Sequence, residues 1–213
     1  MTNRILPAVV AAALATSALA RADDAPVGTR QVTDDMHSYY GGERASAYVV
    51  ATLGTLAVAG GIVLVTRDTD FARGFGVPLI ALGALEGIGA VIYAFQVGAE
   101  IRHYQASIDR SGAAFREEEL AHMRGTRSRF VWYLAAEIGL SVIGAGIATY
   151  GFASDQDTWK GIGLGVASIA LPFVLIDSIN NARAGAYARH VRLFNPSLAF
   201  APGGFRIGLN GTF

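Results

Sequence analysis

The chain has 213 residues, of which 52% are apolar and 16% are charged, and 17 basic residues balance 17 acidic ones. The charged fraction is below the roughly 25% of ordinary soluble domains, and the mean hydropathy is +0.38, so the composition favours a membrane protein. The zero net charge argues against nucleic-acid binding, and the absence of cysteine excludes disulfides, thiolate metal sites and lipid attachment at cysteine.

The N-terminus has the pattern of a secretory signal peptide. Arg4 precedes an apolar run, and small residues at Ala18 and Ala20 fit a cleavage site. We therefore expect residues 1–22 to be a signal peptide, with an uncleaved signal anchor as the alternative. Residues 23–44 carry scattered charges and glycines and are predicted to form an irregular polar lead-in.

Four long apolar stretches follow, and they cover residues 45–66, 74–99, 130–153 and 161–176. A membrane-spanning helix needs about 20 mostly apolar residues. The first three stretches meet that length, and the fourth meets it if it extends past Asp177. All four are rich in glycine and alanine, which allow membrane helices to approach closely. We predict an all-α membrane protein in which four spans form a four-helix bundle in the lipid bilayer.

The chain contains an internal repeat. Residues 98–103 read GAEIRH and residues 185–190 read GAYARH, which is an offset of 87. An offset of 85 aligns the first apolar stretch with the third and places Gly54 on Gly139. We therefore predict two tandem helical hairpins with the same orientation in the membrane, related by an axis along the membrane normal.

The predicted order is a first hairpin over 45–108, an Arg-rich connector over 109–129, a second hairpin over 130–193 and a tail over 194–213. Within the connector, residues 111–124 have a helix-start residue, early acids and late arginines, as a capped surface helix should. Its narrow apolar edge suits an interface with a partner protein or with the membrane surface.

The last residues, 205–213, read FRIGLNGTF and alternate apolar with polar side chains, which predicts a strand. A Pro-Gly-Gly turn precedes it, and with residues 197–201 the strand can form a small C-terminal β-hairpin. The strand resembles the closing strand of bacterial outer-membrane barrels, which typically ends in an aromatic residue. Barrel strands are about ten residues of alternating pattern, unlike the apolar blocks in the rest of the chain.

The whole layout resembles a group of uncharacterised bacterial envelope proteins that combine a signal segment, duplicated Gly-rich helical hairpins, an Arg-rich connector and a short terminal strand. The resemblance implies a membrane of the bacterial cell envelope, the inner one rather than the outer, and it implies no activity. The orientation stays open. The positive-inside rule places the Arg-rich connector in the cytoplasm, whereas a signal peptide places the start of the chain outside.

Two acidic residues, Glu86 and Glu137, interrupt the second and third apolar stretches. A charge inside a membrane is costly and usually faces a bundle interior or a water path. The two carboxylates are therefore candidates for a proton or cation relay at one shared site. The alternative is a neutral carboxyl that hydrogen-bonds across helices.

Two Glu-x-x-His pairs, Glu100 with His103 and Glu119 with His122, place a carboxylate and an imidazole on one helix face. This spacing resembles the ligand pairs of ferritin-like di-iron proteins. Such proteins need a further Glu from each of two other helices, and the first and fourth apolar stretches contain none.

The pairs Arg102–His103 and Arg189–His190 end the two hairpins. Cationic side chains at these points interact favourably with the helix dipole and with lipid headgroups. We expect these four residues to anchor the protein at the membrane surface.

The leading functional prediction is a structural or scaffolding protein, with no enzymatic activity and no cofactor. A partner would contact helix 111–124 or strand 205–213, and a homo-oligomer is a further alternative. The second prediction is a small ion or proton transporter or channel component that uses Glu86 and Glu137. The third is a membrane di-iron enzyme.

Overall fold

The computed structural model describes residues 27–196, 200–201 and 204–205. Four long α-helices make up nearly all of this part of the chain: α1 (Thr29–Val65), α2 (Asp70–Arg110), α3 (Gly112–Ala153) and α4 (Asp157–Leu193). Each helix contains a window that is long and apolar enough to cross a membrane. The predicted all-α four-helix membrane bundle is therefore confirmed.

Two short strands follow the helices. β1 (Phe200–Ala201) pairs antiparallel with β2 (Gly204–Phe205), and Phe200 lies opposite Phe205. The predicted signal peptide, 1–22, and all but the first residue of the predicted strand 205–213 lie outside the described residues.

The helices are longer than a membrane requires. They contain 37 to 42 residues, which at 1.5 Å per residue is about 55–63 Å, roughly twice the hydrocarbon thickness of a bilayer. Large exposed apolar side chains identify the part that lies in lipid, because such side chains are costly in water. They run between Tyr48 and Val63 on α1, Phe71 and Phe95 on α2, Val131 and Phe152 on α3, and Trp159 and Ile179 on α4.

We call the part bounded by these side chains the membrane half, and residues 29–46, 97–129 and 180–196 the extramembrane half. The two halves are packed differently. In the extramembrane half large side chains form a buried core, in which Met36, Tyr40 and Phe115 are at most 1% exposed. This half is built like a water-soluble helical bundle.

In the membrane half the helices meet through glycine. A Cβ atom added at Gly61 of α1 would lie 2.7 Å from the carbonyl oxygen of Gly76 on α2. The same holds on the other side, where a Cβ at Gly144 of α3 would lie 2.8 Å from the oxygen of Gly163 on α4. These distances leave no room for a side chain, so backbone-to-backbone contact holds each hairpin together in lipid.

The two hairpins pack through their second helices. α1 packs along α2, α3 packs along α4, and α2 packs along α4, whereas α1 with α4 and α2 with α3 make only limited contact. The pairs α1–α2 and α3–α4 therefore occupy corresponding positions on either side of the central α2–α4 interface.

Two predicted boundaries differ from the structure. Residues 29–44, predicted as an irregular lead-in, form the start of α1, because Val32, Met36 and Tyr40 bury one face of a helix despite the two glycines that follow. The connector 109–129 is not a separate element. Its helix begins at Gly112 and continues through the membrane as α3, and its apolar edge packs into the extramembrane core.

The offset of 85 between the first and third helices also differs from the packing. Gly54 packs against α2, but a Cβ at Gly139 would meet no atom of the described chain within 4 Å. An offset of 83 fits instead, since α3 begins 83 residues after α1. At this offset six buried residues of α1 correspond to six buried residues of α3: Val32, Met36, Tyr40, Glu43, Ala47 and Gly61 to Phe115, Glu119, Met123, Thr126, Phe130 and Gly144.

Candidate functional site: an acidic cavity at the membrane boundary

A cavity of about 630 Å³ lies among the four helices where the membrane half meets the extramembrane half. Every helix contributes to its lining, with α2 and α3 providing most of the residues. Among the described residues, five carboxylates line it: Glu43, Glu86, Glu100, Glu137 and Asp177.

The carboxylates lie at different depths. Glu100 belongs to the extramembrane half, and Glu86 is about 21 Å further along α2. Glu86 also lies about 14 Å inside the boundary marked by Phe95, close to the middle of a 30 Å hydrocarbon layer. The cavity therefore leads from the extramembrane half to the centre of the membrane half.

The structure brings Glu86 and Glu137 to this one cavity and places Asp177 of α4 with them. Glu137 of α3 and Asp177 of α4 line this cavity together with Glu86 of α2. Glu137 Oε2 has no hydrogen-bond partner among the described residues. Because like charges in one cavity repel, such a set of carboxyl groups is suited to hold a proton or to bind a cation.

Glu43 of α1 is the most deeply buried acid of the cavity and is 1% exposed. Its Oε2 accepts a hydrogen bond of 2.7 Å from the Tyr93 hydroxyl of α2. Its Oε1 has no partner among the described residues. A buried carboxylate oxygen without a donor is costly, so this atom is suited to contact a ligand in the cavity.

The positive charge in the cavity is much smaller. Arg129 and His122 of α3 are the basic residues among its described lining, and Arg129 is exposed and donates to Thr126 Oγ1 at 3.1 Å. Burial and the neighbouring Arg129 lower the pKa of His122. Burial also raises the pKa of Glu100, which Arg129 and His103 oppose. The cavity as a whole is therefore acidic.

The cavity opens sideways between α2 and α3. Its rim includes Leu85, Ile92 and Tyr133, which are 68%, 54% and 53% exposed and belong to the membrane half. Inside the rim the rings of Tyr93 and Phe173 line the wall. A molecule in the cavity would thus meet carboxylates, aromatic faces and the lipid phase together.

Towards the hairpin tips the charged residues end. Below Glu86 and Glu137, the helices carry no charged residue over 45–66, 74–85, 138–153 and 161–176. This region holds the glycine contacts between Gly61 and Gly76 and between Gly144 and Gly163. The cavity thus reaches about half of the membrane thickness.

The predicted di-iron ligands are not brought together. His103 is exposed and its Nε2 lies 2.6 Å from Glu118 Oε1, whereas Glu119 is buried and accepts a hydrogen bond from Tyr40 at 2.9 Å. Glu100 and His122 both line the acidic cavity. Within the described ranges no group of three or more His, Asp and Glu side chains is placed to hold a metal ion. The two predicted ligand pairs therefore lie in different places, and the interpretation as a di-iron enzyme stays a prediction that this arrangement does not support.

The two terminal histidines make corresponding contacts. His103 of α2 pairs with Glu118 of α3, and His190 Nδ1 of α4 lies 2.8 Å from Asp35 Oδ2 of α1. Each histidine ties the end of one hairpin to the first helix of the other. The adjacent arginines, Arg102 and Arg189, are exposed, and their role in membrane anchoring stays a prediction.

A buried glutamate outside the cavity, Glu119, is surrounded by tyrosines. Tyr40 donates to its Oε1 at 2.9 Å, and the hydroxyls of Tyr187 and Tyr104 lie close by. Glu119 Oε2 and the Tyr187 hydroxyl form no hydrogen bond of good geometry with the described residues. Burial raises the pKa of Glu119 to about 7, although the tyrosine hydroxyls act in the opposite direction.

Asp177 and Glu43 were not predicted as site residues. Asp177 ends the fourth apolar stretch and therefore marks a boundary in the sequence, although the helix continues for four more turns. Glu43 lies just before the first stretch, but it shares a helix face with Ala47, Gly54 and Gly61, at spacings of four, seven and seven residues. That periodicity is the signal in the sequence that places this acid inside the bundle.

Comparison of the chain with protein-family models, with curated proteins and with solved structures finds no match. The interpretation of the cavity therefore depends on its own chemistry. Closely spaced carboxyl groups in a largely apolar surrounding can take up and release protons or bind a cation.

Proposed function

We propose that this integral membrane protein is a small cation or proton transporter, or a channel component, that uses the acidic cavity. The convergence of Glu86 and Glu137 with Asp177 at one site is the observation that carries the proposal. A charged carboxylate near the bilayer centre costs about 3 kcal/mol on insertion scales. Glu86 lies near the centre, and Glu137 and Asp177 add two further acids from two other helices to the membrane half, which is difficult to explain by folding alone.

The second support is an asymmetry between the hairpins, which we propose arose by duplication. At the offsets of 83 and 87, Glu137 corresponds to Gly54 and Asp177 corresponds to Ala90. Gly54 and Ala90 are both buried in helix packing. The same structural positions are thus filled by small residues in one hairpin, so helix packing at the corresponding positions does not require an acid.

The geometry suits access from one side. The cavity connects the extramembrane half with the centre of the membrane half, and glycine-mediated packing closes the side of the tips. In transporters of internally repeated architecture, binding sites lie near the bilayer midplane and become accessible from alternate sides. The described arrangement would be the state that is open to the extramembrane half.

Flux measurements in liposomes test this proposal. The purified protein is reconstituted into vesicles that contain a dye sensitive to pH, to sodium or to potassium, and a membrane potential is imposed with sodium, potassium or no added metal cation outside. We expect flux above that of empty vesicles and a loss of this flux in the Glu137→Gln and Glu86→Gln variants. Glu117→Gln is the matched control, because Glu117 is an exposed acid of the extramembrane half. Wild-type vesicles as tight as empty ones would contradict transport.

A scaffolding role in the bacterial inner membrane is the second candidate. The backbone NH of Val27 donates to Leu193 O at 3.1 Å, and the NH of Asn195 donates to Val27 O at 2.9 Å. The described chain therefore enters and leaves the bundle at one point of the extramembrane half. Copurification of a defined partner that is lost on deletion of 205–213 would support this role. An unchanged set of copurified proteins would contradict it.

A further inference from the structure

We infer that the ligand of the acidic cavity is an organic cation with an apolar chain, which enters sideways from the bilayer between α2 and α3. This inference rests on the proposed function, because it names the ligand of the same cavity. Four observations support the inference: the size of the cavity, the arrangement of its carboxylates, the position of its opening and the unpartnered oxygen of Glu43.

The size and the ligand geometry disfavour a bare metal ion. A volume of about 630 Å³ is far larger than one ion needs and is within the range of small-molecule sites. The carboxylates of the described residues are spread along the cavity, and they do not form a group of three that could hold a metal. Carboxylates distributed in this way fit a larger cation that contacts several of them in turn.

The buried Glu43 indicates that the cavity binds a charged head group. Glu43 lines the cavity, its side chain is 1% exposed, and its Oε1 lacks a partner among the described residues. Further towards the membrane centre, Glu137 Oε2 also lacks a partner among the described residues. A cationic head group beside Glu43 would offset the charge of this carboxylate, and the neighbouring ring of Tyr93 would favour the same charge.

The opening indicates an apolar chain. Leu85, Ile92 and Tyr133 at the rim lie in the membrane half and are more than half exposed there. A ligand whose head occupies the cavity would extend through this opening, and its tail would remain among the lipid chains. A fully hydrated cation would have to cross lipid to use this route, which is unfavourable.

The corresponding groove between α1 and α4 is closed. There, Ser46 Oγ of α1 donates to Asn180 Oδ1 of α4 at 2.9 Å. At the offsets of 83 and 87, the equivalent residues are Arg129 and Tyr93, which donate to Thr126 and Glu43 instead. Of these two grooves, the one that contains the acids is thus also the one that stays open to lipid.

Binding of three probes to the full-length protein in phosphatidylcholine nanodiscs tests the inference, with empty nanodiscs as background in titration calorimetry. The probes are dodecyltrimethylammonium, tetramethylammonium and dodecyl sulfate. We expect saturable binding of dodecyltrimethylammonium, at least about tenfold tighter than that of either other probe. Glu43→Gln and Asp177→Asn should each weaken it by about tenfold, and Glu117→Gln should leave it unchanged.

Three results would overturn the inference. Equal binding of tetramethylammonium would mean that the chain is not recognised. Equal binding of dodecyl sulfate, or binding that the Glu43 and Asp177 variants retain, would mean partition into lipid. The protein could also transport cations in liposomes and yet bind none of the probes. That result would reject this ligand class and leave the transport proposal intact. Conversely, saturable binding of dodecyltrimethylammonium by protein that moves neither protons, metal cations nor this organic cation across liposome membranes would support the ligand class and reject transport.

Discussion

The burial of the Glu119 side chain makes the stability of the folded protein depend on pH. It lies in the extramembrane half, is 0% exposed and is surrounded by Tyr40 of α1, Tyr104 of α2 and Tyr187 of α4. The charge of Glu100 adds to the effect of burial and raises the pKa of Glu119 further. Because burial dominates over the hydroxyl contacts, the protonated carboxyl is the form that the folded protein prefers.

We predict that the free energy of unfolding decreases as the pH rises from about 4.5 to about 7. The pKa of Glu119 is about 7 in the folded protein and 4.5 by its ordinary value, so the folded state binds more protons in this interval. The protonated Glu119 contributes on the order of 3 kcal/mol to the free energy of unfolding. This contribution is complete below pH 4.5 and is lost as the pH rises past 7.

Thermal unfolding of wild type and Glu119→Gln across this interval checks the prediction. Glutamine cannot ionise, so the variant should show a shallower dependence on pH than the wild type. Tyr40→Phe serves as a second variant, since it removes one hydroxyl that contacts the carboxyl and should keep the slope. Equal slopes in wild type and Glu119→Gln would contradict the assignment.

At the scale of the helices, glycine determines how closely the elements approach. Gly144 and Gly146 are two residues apart on α3, but only Gly144 faces α4. A Cβ at Gly144 would lie 2.8 Å from Gly163 O, whereas one at Gly146 would meet no described atom within 4 Å. Substitutions at these two positions therefore distinguish the effect of helix contact from the effect of helix propensity within one helix.

We predict that Gly144→Ala destabilises the protein by about 1–3 kcal/mol, because the added methyl group forces α3 and α4 apart. Gly146→Ala should be neutral or stabilising by up to about 1 kcal/mol, because alanine has the higher helix propensity. Unfolding of the two variants in the same detergent provides the comparison. If Gly146→Ala were the more damaging change, the packing of α3 against α4 described above would be incorrect.

The repeat also belongs to this scale. Identical residues at an offset of 85 predict that the first and third helices correspond, but their buried residues correspond at an offset of 83. Residues on an α-helix are separated by about 100°, so a shift of two residues turns the matched face by about 200°. Sequence identity among many glycines and alanines does not resolve such a shift, whereas contact with a neighbouring helix does.

For the whole molecule, the length of the helices and the position of their exposed apolar side chains divide the bundle into two halves. The loops at 66–69 and 154–156 lie at the membrane end, and the α2–α3 junction at Ser111 lies at the extramembrane end. Four spans built as two hairpins place both loops on the same side of the bilayer.

Cysteine labelling checks this arrangement, because the chain has no native cysteine. We expect Asp68→Cys and Asp155→Cys to react with an impermeant thiol reagent from one side of the membrane. Glu117→Cys should react from the other side, which is the outer one if residues 1–22 are a cleaved signal peptide. Labelling of Asp68→Cys and Asp155→Cys from opposite sides would contradict the hairpin arrangement.

The amino-acid sequence by itself determined the all-α class, the four spans and the two intramembrane acids Glu86 and Glu137. Those conclusions depend on the length of apolar runs and on the rarity of charges within them, and both properties are local. The tertiary structure alone decided that Asp177 and Glu43 join these acids, that the Glu-x-x-His pairs diverge, and that one groove is open while its counterpart is closed. These features depend on which face of each helix meets a neighbour, and that choice results from packing over the whole bundle.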